Sequence, residues 1–138
     1  MSRHWSETVD WIWASNWDES HHVARIVQFR RSFTIDQSVP AKCLVHVSAD
    51  TRYRLYINGH SVCFGPAKSH LGEWNFETVD IAPFCYVGTN TLAMRVLRYS
   101  AHFPGNMSLV RAVKPGVIVH SDTLVSFYPR HVHIHIGC

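Results

Sequence analysis

Basic and aromatic side chains spread over 52–74 are the residues best suited to recognising a ligand. Arg52, Arg54 and Tyr56 alternate along one run, and Lys68 and Trp74 follow in the next connection. Carbohydrate sites combine an aromatic surface, which contacts the C–H groups of a sugar, with polar or ionic groups for its hydroxyls. These five residues supply both and form a candidate carbohydrate-binding site. Alternatively, Trp74 packs in a core, and the two arginines pair with carboxylates at an interface.

The acidic residues offer little for acid–base catalysis. Asp and Glu number ten in total. Inverting hydrolysis of a glycosidic bond needs two carboxyls about 6.5 to 9.5 Å apart, one protonated and one activating water. Glu73 and Glu77 could flank a sugar, but a surface pair around the start of a strand is the favoured interpretation. We therefore assign no catalytic residue.

Histidine and cysteine are present without a recognisable metal or nucleophile motif. His131, His133 and His135 alternate, so a strand would project all three imidazoles from one face, where zinc, copper or nickel could bind adventitiously. A physiological site would also need a fourth ligand and supporting partners, so we assign no metal site. The absence of a C-x-x-C pair favours buried thiols outside disulfides for the four cysteines, which are Cys43, Cys63, Cys85 and Cys138.

Short β-prone runs separated by turn residues must position these side chains. Alternation predicts a buried face in 43–49 and another in 52–57, where Tyr53, Leu55 and Ile57 oppose the candidate arginines. The Asn58-Gly59 pair predicts a type I′ hairpin into a strand over 60–64. Further strands are predicted at 29–35, 74–81, 91–99 and 117–120.

A helical turn and a bulged strand are predicted in the second half of this pattern. The residues 82–90 predict a short helical turn that ends in a glycine. The run 91–99 predicts a central strand with a bulge, because Leu97 breaks the alternation of the apolar residues before it. Together the runs are typical of an all-β sandwich or barrel.

Composition limits the classes of protein that this chain could represent. With 46% hydrophobic residues it can bury one core, and its length suits one domain. The net charge of +3 comes from scattered residues, which argues against a nucleic-acid partner. The first residues show no basic leader before an apolar stretch, so we expect a cytoplasmic protein with neither signal peptide nor membrane anchor.

Several motifs, in order along the chain, resemble the N-terminal β-sandwich of bacterial and fungal α-L-rhamnosidase-like proteins. They are VSADTRYRLYING at 47–59, GPAKS at 65–69, Trp74 with VDIAPF at 79–84, and VGTNTLA at 87–93. An early WIW at 11–13 and FRRSF at 29–33 extend the likeness, which ends near residue 123. The resemblance implies an all-β jelly-roll sandwich of the galactose-binding type, incomplete at its C-terminus.

The resemblance also implies a domain plan. It comprises an N-terminal lead-in segment at 1–28, a β-sandwich accessory domain at 29–123 and a divergent tail at 124–138. In that family the sandwich precedes an (α/α)6 barrel whose acidic residues carry out hydrolysis, and nothing here corresponds to that barrel. We therefore expect no enzymatic activity from this chain and interpret it as a truncated gene product.

The predicted function is that of a non-catalytic, carbohydrate-binding accessory domain of an α-L-rhamnosidase-like glycoside hydrolase. The expected partners are a rhamnose-containing glycan or the missing catalytic barrel, with neither nucleic acid nor membrane. No cofactor is expected, and calcium has no support in the sequence. The alternative function is a free-standing lectin-like or interaction module.

Overall fold

The protein is described by a computed structural model that covers residues 11–19, 23–67, 74–100, 114–121 and 133–137. Eight strands form in these ranges: β1 Arg25–Ile35, β2 Leu44–Ala49, β3 Arg52–Ile57, β4 His60–Gly65, β5 Glu77–Asp80, β6 Gly88–Arg98, β7 Val117–Ser121 and β8 His133–Gly137. The order in one antiparallel sheet is β4-β3-β6-β1-β8, and in the other it is β5-β2-β7. The predicted all-β sandwich is confirmed.

The predicted strands are found, but three of them begin at a clearly different residue. β5 begins at Glu77 rather than Trp74. β1 begins at Arg25 rather than Phe29, and β6 begins at Gly88 because the chain turns there at a φ of 106° and pairs at once with Ile35. The helical turn predicted within 82–90 is a short 3₁₀ turn, Ala82–Phe84.

β6 lies in the middle of the larger sheet, but the bulge predicted for it is absent. It pairs continuously with β1 on one side and with β3 on the other, and Leu97 lies half-buried on the outer face. A strand bonded on both edges cannot take an extra residue without breaking two ladders. The register shift occurs instead between Leu55 and Tyr56, where β3 pairs with the edge strand β4.

The core lies between the two sheets and follows the alternation in the strands. The larger sheet contributes buried residues such as Val27, Leu55 and Met94, and the smaller sheet contributes Val45 and Val47. Each fully buried side chain of this size stabilises the fold by about 1.5 to 3 kcal/mol relative to exposure. In β3 and β6, burial of one face leaves the other face for solvent or a ligand, whereas both faces of β2 are buried.

The predicted hairpin at Asn58-Gly59 is confirmed, and Asn58 is hydrogen-bonded to the buried side chain of Asn90. Both turn residues have positive φ, 48° and 83°, as a type I′ turn requires. The Asn58 amide donates to the carbonyl of Phe84 and to Oδ1 of Asn90, each at 2.9 Å, and it accepts from the backbone N–H of Thr91 at 2.8 Å. Asn58 therefore joins the β3–β4 hairpin to β6.

Residues outside 29–123 also lie on the sandwich. Ile12 exchanges backbone hydrogen bonds with Val117 at 2.9 and 3.0 Å, and Trp13 packs on Phe29 with ring centroids 5.5 Å apart. β8, within 124–138, pairs with β1 and forms the edge of the larger sheet. Among the described residues, no helix is long and apolar enough to cross a membrane.

Candidate functional site

The outer face of β3 carries three of the five predicted site residues. Arg52 and Arg54 are exposed and Tyr56 is half-buried, while the alternate residues of the strand are buried in the core. The pattern follows from the period of two in a strand whose inner face packs against the other sheet. The prediction that these three side chains share one surface is confirmed.

β6 adds a residue to this surface that the sequence reasoning missed. Arg95 lies directly opposite Arg54 in the β3–β6 ladder, and Leu97 lies opposite Arg52. With Ile26 of β1, these residues line a groove of about 220 Å³. We call this the arginine groove. The sequence indicates only that Arg95 faces outward in a predicted strand. It does not show that Arg54 is the cross-strand neighbour of Arg95.

The arginine groove is strongly basic. Arg52, Arg54 and Arg95, together with Arg30 nearby on the same face, make no ion pair with the described residues. The described outward residues of β1, β3 and β6 include no Asp or Glu. Like charges directly opposite on neighbouring strands repel, so the pair Arg54 and Arg95 favours an anion beside it.

Trp74 lies at a separate surface. Its indole meets that of Trp11 edge to face, with ring centroids 6.0 Å apart. The two rings line a cleft of about 430 Å³ together with Asp50, Lys114, Pro115 and Gly116. We call this the tryptophan cleft. The predicted five-residue site therefore divides between two places, and Lys68 lies outside the described residues.

A glycine permits the close approach of Trp11 to the start of β7. A Cβ placed on Gly116 would lie 2.8 Å from Cε3 of the Trp11 indole. Trp11 is 48% exposed, so much of its surface is available to solvent at the cleft. Neither Trp11 nor Gly116 was predicted as a site residue, because their contact is made across a long stretch of chain.

A buried ion-pair network holds Asp50 at the wall of the tryptophan cleft. The guanidinium of Arg98 is 1% exposed, and its Nη1 lies 2.8 Å from Oδ2 of Asp50, which is 2% exposed. Its Nη2 lies 2.9 Å from Oε2 of Glu19. Removing Arg98 would leave the Asp50 carboxylate buried without this counter-charge, and removing Asp50 would leave Arg98 with Glu19 as its ion-pair partner. The network therefore fixes both the end of β6 and the position of the carboxylate.

Glu77 is hydrogen-bonded to two groups of the sandwich. Its carboxylate accepts hydrogen bonds from the phenol of Tyr53 and from the backbone N–H of Ala67. Burial, followed by the bond to Glu77, raises the pKa of Tyr53, so the phenol stays a donor. The surface position predicted for Glu77 at the start of a strand is found only in part, because its side chain is half-buried and bonded to the buried Tyr53. Glu73 lies outside the described residues.

Asp80 is also bonded to the backbone. Its Oδ1 accepts from the backbone N–H of Cys43 at 2.9 Å and from that of Ala82 at 3.0 Å. These two bonds lower the pKa of the carboxyl, because they favour its charged form. The carboxylate thus joins the end of β5 to the residue before β2.

The cysteines form no reactive site in the described part of the chain. Cys43, Cys63 and Cys85 are thiols rather than halves of disulfides, as predicted. Burial raises the pKa of Cys63, and it raises that of Cys85 to about 11, which keeps both protonated near neutral pH. Cys138 lies outside the described residues.

Within the described residues, no group of three or more His, Cys, Asp or Glu side chains could hold a metal ion. His133 and His135 occupy positions opposite Arg30 and Gln28 in the β1–β8 ladder. His131 lies outside the described residues. The suggestion of adventitious metal binding by the three alternating histidines stays a prediction.

No family model matches the sequence, and no curated protein matches it. Several solved structures, in contrast, do match this chain. A GH78 family rhamnosidase of Bacillus sp. GL1 matches with a TM-score of 0.69 and 29% sequence identity, over 88% of this chain and 12% of that one.

Two further structures support the fold alone. The α-L-rhamnosidase from Dictyoglumus thermophilum is 17% identical, with a TM-score of 0.55 over 84% of this chain and 13% of its own. The Streptomyces avermitilis α-L-rhamnosidase, solved in complex with L-rhamnose, is 17% identical, with a TM-score of 0.53 over 93% of this chain and 11% of its own. The chain therefore spans about an eighth of the length of these proteins. The resemblance predicted from the sequence is confirmed: the chain is similar, over most of its length, to a β-sandwich domain of α-L-rhamnosidases.

Proposed function

We propose that this chain is a non-catalytic accessory domain that binds carbohydrate, with the tryptophan cleft as its sugar site. The observation that carries the proposal is the cleft itself, in which Trp11 and Trp74 stand edge to face beside Asp50 and Lys114. Indole surfaces suit the C–H groups of a pyranose, and the exposed ammonium of Lys114 suits its hydroxyls. Rhamnose is the first sugar to test, since the similar proteins are rhamnosidases.

The bonds of four described carboxylates support a function without catalysis. Asp50 and Glu19 bind Arg98, Glu77 binds Tyr53, and Asp80 binds two backbone N–H groups. A general acid and a general base must instead flank a substrate, one of them protonated. In this proposal, hydrolysis belongs to another part of a rhamnosidase-like protein.

The test is a calorimetric titration of the folded chain with L-rhamnose and with a rhamnose-containing oligosaccharide. EDTA is present in one series and calcium in another, because the proposal requires no metal. We expect saturable binding in both series. A chain that is folded by circular dichroism and binds neither sugar would contradict the proposal and leave a structural role.

Variants locate the binding site. Trp11→Ala removes one indole. Gly116→Ala places a Cβ 2.8 Å from Cε3 of the Trp11 indole and so displaces that ring, and both variants should weaken binding. Phe64→Ala is the matched control, because Phe64 is an aromatic residue, 71% exposed, that does not line the cleft. Equal weakening by Phe64→Ala would place the sugar elsewhere.

A further inference from the structure

We propose that the arginine groove binds a saccharide that carries carboxylate groups, with a uronic-acid unit held between Arg54 and Arg95. The anionic part of this inference rests on the arginines themselves. Its saccharide part rests on the proposed function. The groove lies on the outer face of the larger sheet and has a different set of lining residues from the tryptophan cleft.

The charges of the groove select an anion. Arg54 and Arg95 are cross-strand neighbours whose Cβ atoms stand about 4.5 to 5.5 Å apart, as the ladder dictates. Arg52 lies two positions before Arg54 on the same face. None of the three makes an ion pair with the described residues. A carboxylate between two guanidiniums would accept charge-assisted hydrogen bonds from both and remove their repulsion.

The uncharged walls favour a sugar over a simple anion. Tyr56, Ile26 and Leu97 line the same groove, which therefore offers apolar surface beside the guanidiniums. A uronic acid has both features, because its ring presents C–H groups and its C6 is the carbon of a carboxylate. The open side of the groove allows further sugar units to continue across the sheet.

The test is a titration of the folded chain with trigalacturonate, with its neutral methyl ester as the matched ligand. We expect saturable binding of the acid that weakens as salt is raised. The ester should bind at least about tenfold more weakly than the acid. Equal affinity for acid and ester would overturn the proposal.

Two arginine variants test the position of the ligand. Arg95→Gln should weaken binding of trigalacturonate about tenfold, as expected for loss of a charge-assisted hydrogen bond. Arg30→Gln removes the same charge from the same face but does not line the groove, so its effect should stay within about twofold. Equal weakening by both variants would show attraction to the overall charge and would overturn the groove as a site.

Other anions distinguish alternative partners. A sulfated trisaccharide that binds as tightly as trigalacturonate would overturn recognition of a carboxylate. A poly-glutamate peptide that binds as tightly would overturn recognition of a saccharide and would indicate an acidic protein surface. Titration with L-rhamnose keeps the two proposals apart: Arg95→Gln should leave rhamnose binding unchanged, and Trp11→Ala should leave trigalacturonate binding unchanged.

Discussion

Replacing Asp50 with asparagine should strongly destabilise the fold. Asp50→Asn keeps the size of the side chain but removes the charge that faces Nη1 of Arg98 at 2.8 Å. The guanidinium is 1% exposed, so water cannot replace the lost carboxylate. Glu19 would remain as an ion-pair partner of Arg98, but its side chain is 35% exposed.

The size of the effect follows from this arrangement. Removing one partner of a buried ion pair costs about 3 to 5 kcal/mol, because the remaining charge stays buried. Since Glu19 still contacts Arg98, we expect the lower end, about 3 kcal/mol in the free energy of unfolding. For a domain of this size, the melting temperature should fall by about 10 °C.

Urea denaturation followed by tryptophan fluorescence measures the free energy of unfolding, and a thermal melt gives the temperature. Asp36→Asn is the matched control, because Asp36 is exposed in the loop after β1 and its loss should cost less than about 0.5 kcal/mol. In an Arg98→Met background, Asp50→Asn should cost much less, since the buried cation is gone. A loss below about 1 kcal/mol in the wild-type background would refute the reasoning.

Three more predictions concern single groups. Tyr53→Phe should reduce the free energy of unfolding by about 1 to 2 kcal/mol, measured by urea denaturation, because Glu77 loses a buried donor; an unchanged value would contradict that bond. Asp80 has a lowered pKa, so its stabilising effect is present above its ordinary value of 3.8 and is lost as the pH falls through the folded value. The difference in stability between wild type and Asp80→Asn should therefore shrink in acid. A difference independent of pH would contradict stabilisation by the charged Asp80 carboxylate. Cys85, with a pKa of about 11, should alkylate with iodoacetamide slowly at pH 8 and rapidly after unfolding in urea, as followed by mass spectrometry of the peptide that contains it; equal rates would show that the fold does not protect its thiol.

The sequence predicted the candidate site in part. Alternation in 52–57 correctly placed Arg52, Arg54 and Tyr56 on one surface, because the period of two is a local property of a strand. It grouped Trp74 with them because the residues are close along the chain. Trp74 instead pairs with Trp11, whose position depends on the bridge between Ile12 and Val117.

What the sequence by itself determined is therefore the local structure, namely the strand faces and the type I′ turn at Asn58-Gly59, together with a motif order that indicated the similarity to α-L-rhamnosidases. The tertiary structure decided which strands became neighbours. It placed Arg95 beside Arg54, and it brought Arg98 into its ion pair with Asp50. The physical reason is that alternation and turn preference act over a few residues, whereas strand order depends on packing two whole sheets around one core.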